Sequence, residues 1–151
     1  MTETLTSSVI RAMISHWETS TLDTEIRSRR SNPAAVQDTL HEDEAEPLTP
    51  RPYVIFEQAP GGRNDHQSWS TTEGRELRNT FFRFSVHAGK KSDAADIAAL
   101  ILSRYNNQTI CPSDSPIVSC RLQGEGGVRL GDDEWLWNLN FEVVFDAPSN
   151  P

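Results

Sequence analysis

Basic charge is the first thing this chain has little of. Its 151 residues carry 14 Lys and Arg against 22 Asp and Glu, a formal net charge of −8. Coating nucleic acid requires a basic stripe to displace counterions from phosphate, so the balance argues against specific nucleic-acid binding. Cysteine is scarcer still. Cys111 and Cys120 stand nine positions apart, which fits no zinc or redox spacing, and in a reducing cytoplasm they read as small buried hydrophobes or idle thiols. No apolar run approaches the ~18 residues of a membrane span, so no membrane partner is expected. The opening MTETLTSSVIRAMISHW is acidic and polar with no basic n-region, and it reads as a helix start rather than an export signal.

Enzyme signatures are missing as well. There is no Walker A loop, and the GEGG of residues 124–127 lies between two strand patterns. It therefore reads as a flexible hairpin tip rather than a phosphate cradle. His16, His41, His66 and His87 are scattered, with no partner at metal-ligand spacing. Asp65, His66 and Ser68 hold the letters of a triad, with Glu73 nearby. Triads are assembled in space, however, and short local runs rarely make one. The carboxylates of residues 42–46 form a solvated charge run, not a tuned acid–base pair. The expectation is no enzyme, no cofactor and no metal.

What the chain does have is pattern. From Glu134 to Asp146, Trp135, Trp137, Leu139, Phe141, Val143 and Phe145 alternate with a mostly polar set, the mark of a strand with one face on a core. A second alternation places Phe82, Phe84 and Val86 against Arg83, Ser85 and His87. Tyr53–Phe56 and Pro116–Leu122 are shorter strand candidates. Leu5, Val9, Met13 and Trp17, flanked by Ile10 and Ile14, give one helical stripe; Ile97, Leu100, Ile101 and Tyr105 give another, capped by Ser92 or Asp93. Between the first helix and Pro50 the periodicity stops. That stretch holds a basic knot (Arg27, Arg29, Arg30), an acidic one (Asp38, Glu42, Asp43, Glu44, Glu46) and prolines. These elements predict a single α+β domain over residues 1–151. One mainly antiparallel four-stranded sheet packs on two helices, ferredoxin-like in αββαββ order, with a long charged loop over 20–50 after the first helix.

The segments PYVIF (52–56), NTFFRFSVHAG (79–89), SDAADIAALILSRY (92–105), IVSCRLQG (117–124) and WLWNLNFEVVF (135–145) together resemble the tail terminator and tail-completion proteins of long-tailed bacteriophages. The resemblance covers Pro52 to Ala147 and, more loosely, the first helix. The 20–50 and 63–78 stretches depart from it by their length. It implies a virion structural protein at the head–tail junction, assembled in the host cytoplasm. Such a protein forms a ring, commonly a hexamer, that caps the tail tube and docks to the head connector. Its partners would be further copies of itself, the tail tube protein and the head–tail connector proteins.

A ring closes through contacts between unlike surfaces of successive subunits. The residues expected to serve such interfaces are Arg27, Arg29, Arg30, Glu42, Asp43 and Glu44, on an arm ordered against a neighbour, together with Phe81 as surplus apolar surface. A different class of function stays open on the fold alone, a non-viral small-molecule-binding or regulatory module. It would need a pocket with convergent polar groups.

Overall fold

The computed structural model describes residues 5–30, 38–45, 49–58, 68–70, 75–110 and 117–148; for 5–8, 68–70, 75–78, 117–118 and 146–148 it describes the backbone alone. Among the described residues, three helices and seven strands follow in the order α1 (Leu5–Glu18), α2 (Leu22–Arg27), β1 (Leu40–Glu42), β2 (Tyr53–Gln58), β3 (Ser68–Ser70), β4 (Arg75–Ala88), α3 (Lys91–Tyr105), β5 (Gln108–Ile110), β6 (Ile117–Gly131) and β7 (Glu134–Pro148). The strands join in one sheet, β1-β2-β4-β7-β6-β5, with β3 pairing the first residues of β4. All pairs are antiparallel except β1–β2. The sheet curls into a half-barrel.

This overturns the four-stranded ferredoxin-like sheet on two helices. The order of the main elements holds, but three further strands join the sheet and a third helix joins the layer beside it. The stretch after α1 is not a bare loop. Leu22 and Ile26 lie one turn apart, and both are buried beneath α2, while β1 runs parallel to β2 with His41 opposite Ile55. The GEGG run is no hairpin tip either. It lies within β6, where Gly124 faces Asn140 and Gly127 faces Trp137, and the turn comes later, at Asp132–Asp133. A strand of 15 residues accumulates the right-handed twist along its length, and the sheet curls with it.

One face of the sheet holds the core. Phe82, Phe84 and Val86 of β4 face Phe141, Leu139 and Trp137 of β7, so both sequence alternations place their apolar sets on the same side. Val9, Met13 and Trp17 of α1 and Ile97, Ile101 and Tyr105 of α3 close over them, all fully or nearly fully buried. Trp17 stacks on Phe84 with ring centroids 6.0 Å apart. Each such side chain contributes roughly 1.5–3 kcal/mol of burial free energy.

The two long helices are clasped by polar bonds. The Tyr105 hydroxyl donates to the Met13 carbonyl at 2.7 Å, and Arg104 donates to the His16 carbonyl at 3.0 Å. Burial raises the Tyr105 pKa far above the usual phenol value. Helix α3 begins at Lys91 with Lys90 at its N-cap and no side-chain cap, not at Ser92 or Asp93. It ends at Tyr105. Asn107 takes φ 59°, a left-handed conformation that asparagine tolerates. Its N–H reaches the Cys120 carbonyl at 2.7 Å, while Asn106 Oδ1 accepts the Leu122 N–H at 2.8 Å.

Candidate interaction surfaces

The arginines that form one knot in the sequence go to three different places. Arg27 bonds Asp23 one turn back on α2, at 2.9 Å. Arg29 reaches across to α3, 3.2 Å from both Asp93 and Asp96. Arg30 is buried at 3% exposure and donates to the Pro52 and Asp38 carbonyls at 3.2 and 2.9 Å. Burial lowers its pKa, with the Arg27 charge acting the same way. Asp23 completes the cluster by accepting from the Thr39 hydroxyl. Partial burial pushes the Asp23 carboxyl up, but the bonds from Arg27 and Thr39 and the charges of Arg27 and Arg30 outweigh it and leave the pKa lowered. These groups tie α2 to β1, β2 and α3 within the chain.

The acidic knot is different. Glu42, Asp43 and Glu44 are exposed where β1 ends, and they make no ion pair among the described residues. Asp43 sits at φ 68°, with its N–H on the Phe56 carbonyl at 3.0 Å, and Glu44 N–H turns back onto the Glu42 carbonyl at 2.8 Å. The tight turn leaves all three residues exposed to solvent. Among the described residues of the acidic knot only Asp38 meets the arginines, through the carbonyl that Arg30 bonds; Glu46 lies outside the described residues.

Phe81 lies half-buried on the sheet face opposite the core, paired with Glu142. Among the described residues no helix covers that face, since the buried residues of all three helices join the core on the other side. Its side chains are arranged as cross-strand polar pairs. Arg83 donates to Glu57 at 2.9 and 3.1 Å, Ser85 to Asn138 at 2.9 Å, and Asn79 to Glu142 at 3.1 Å. Tyr53 stacks on His87 with centroids 4.8 Å apart. Among the described residues, His87 Nδ1 and Asn79 Oδ1 are buried without a partner. Burial lowers the His87 pKa.

A third surface escaped sequence reasoning, the distal half of the β6–β7 hairpin. Val128 and Leu130 are 52% and 50% exposed, the only large apolar side chains so exposed among the described residues. Gly127 is tied to its place. A Cβ there would lie 2.6 Å from the Trp137 ring, so the ring packs on bare backbone. Glycine in the sequence signalled a turn; next to a tryptophan on the facing strand it signals close approach.

For a small-molecule site the best feature is a cleft of about 330 Å³ between α1, α2 and β1, lined by Trp17, Asp23, Arg27 and Thr39 among others. Asp23, Arg27 and Thr39 bond one another across it, so they do not converge on a ligand. No group of three or more His, Cys, Asp and Glu is placed to hold a metal ion among the described residues, and no described helix is long and apolar enough to cross a membrane. Cys120 is a buried free thiol whose pKa burial pushes up to about 12, which leaves it inert at neutral pH. Cys111, Asp65, His66 and Glu73 lie outside the described residues, as does the side chain of Ser68.

No protein-family model and no curated protein matches the chain. Among solved structures, a chain in the virion of a native gene transfer agent particle is similar. The superposition has a TM-score of 0.55 at 18% identity and covers 72% of this chain and 79% of that one. At that identity the likeness shows a shared fold.

Proposed function

We propose that the chain is a structural, non-catalytic component of a phage-like virion. Its place is the head–tail junction, where it closes the tail tube as a hexameric ring and receives the head connector. The observation that carries this reading is the fold shared with a chain of the gene transfer agent virion. It supports the coarser part of the tail-terminator resemblance, a phage-like virion structural protein.

Two surfaces suit contacts between unlike faces of neighbouring subunits. One is the uncovered sheet face around Phe81, Arg83 and Asn140; the other is the exposed carboxylate run Glu42, Asp43 and Glu44. Charges at such a rim steer and orient a contact more than they strengthen it. Arg27, Arg29 and Arg30 drop out of the interface in this reading, because they hold the chain's own elements together.

Mass photometry and negative-stain imaging of the chain, alone and with the tail tube protein of the same virion, should show closed rings in at least one of the two samples. Only monomers in both samples would overturn the reading.

A further inference from the structure

We propose that two copies of this chain pair through the free edge of β6, strand against antiparallel strand, about a two-fold axis at Gly127. The inference stands apart from the ring, since a two-fold contact closes at two copies.

The edge is open by topology. On one side β6 pairs with β7 along its length. On the other, β5 covers it only between Ile117 and Cys120, and Asn106 takes the Leu122 N–H. Beyond Leu122 no described strand lies against it, so alternate backbone N–H and C=O groups face outward. Bare edges template pairing with another chain, and natural ones are usually blunted by shortness, Pro or Lys. Residues 123–131 contain neither Pro nor Lys. Irregularities at Leu122/Gly124 and Arg129/Gly131 bracket the stretch and leave residues 124–129 in unbroken register with β7.

The side chains of that stretch are complementary to themselves. With Gly127 opposite the partner's Gly127, Glu125 faces the partner's Arg129 and Arg129 faces the partner's Glu125, on one side of the joined sheet. On the other side Val128 lies across from the partner's Gly126. An axis at Glu125 would instead set Glu against Glu and Arg129 against Arg121, and like charges directly opposite destabilise a sheet. Gly126 fits the first register. A Cβ there, as at Gly124 and Gly131, would meet nothing within 4 Å, so among the described residues nothing in the chain's own packing requires glycine. Glycine in a strand interior often marks the close approach of another backbone, and Val128, 52% exposed, is placed to cover it. Among the described residues, Arg129 holds only the Gly131 carbonyl and the fully exposed Asp132, contacts that are easily exchanged.

Sedimentation velocity of the full chain should show a concentration-dependent dimer. Glu125→Arg and Arg129→Glu should each weaken it about tenfold, because each variant sets two like-charge pairs across the axis. The double variant should restore it, since every reversed charge again meets its opposite. Both side chains are exposed, so circular dichroism should be unchanged throughout. In a Cys111→Ser background, Glu125→Cys chains mixed with Arg129→Cys chains should cross-link on mild oxidation, and neither should link alone. A chain that stays monomeric at every concentration overturns the proposal. So does a double variant no better than the singles, or a Glu125→Cys chain that links to itself.

Discussion

Arg30 stands in the sequence beside Arg29 and two positions from Arg27, yet what surrounds it in space is carbonyl oxygen. A buried guanidinium without acceptors would be costly, so those carbonyls decide where it can lie. His87 shows the same dependence with a consequence for pH. Its ring is pressed against Tyr53, and its Nδ1 has no partner among the described residues. Burial holds its pKa below the ordinary 6.5, Glu134 pulling up and Arg51 pushing down. His16 shifts the same way, burial outweighing its bond to the Arg104 carbonyl. Both rings are therefore favoured neutral in the folded chain and take up protons more readily when it unfolds. The stability they contribute is complete above pH 6.5 and is lost as pH falls from there through their lowered folded values. Melting curves taken from about pH 7.5 to about pH 5 should show Tm declining once pH passes below the ordinary histidine range. His87→Gln should flatten part of that decline. A profile identical to that of the unaltered chain would remove His87 as a cause.

At the level of elements, β7 carries the sheet. Phe141 is fully buried among Phe84 and Tyr105, whereas Asn140, on the other face, is half-buried with no core behind it. Phe141→Ala should lose about 3–5 kcal/mol in urea unfolding and Asn140→Ala far less. Equal losses would mean that the second face is also packed.

The periodicity of β7, β4, α1 and α3 was legible because long elements repeat their pattern. Helix α2 was not, since a six-residue helix with only Leu22 and Ile26 to bury leaves no period to detect. Strand β1 was hidden by its three residues and its acidic surroundings. The glycine-rich half of β6 was hidden for another reason. Gly-Glu-Gly-Gly has turn chemistry, and only pairing with β7 holds it extended. Of the interface residues, Glu42, Asp43 and Glu44 do reach the surface as their charge suggested. The open edge of β6 could not be read at all, because an edge is a property of strand order and not of any residue.

Considered whole, the molecule is a curled sheet with its helices on one side and its central strand, β7, flanked by partners of very different origin. Strand β6 reaches it through a two-residue turn, Asp132–Asp133, while β4 reaches it only after α3, β5 and β6 have intervened. Loop closure makes the first pairing quick and the second slow. The hairpin should therefore be in place before β4 arrives, and β2 can join only after β4. Stopped-flow measurements across urea concentrations can separate the steps. Phe84→Leu, on the seam between β4 and β7, should chiefly slow refolding. Val54→Ala, on β2, should chiefly hasten unfolding. The reverse partition would show that β2 and β4 assemble first. A strand in the middle of the sheet thus also sets the clock: for as long as β4 has not arrived, β7 has one bare side, and the hairpin waits with an apolar face uncovered.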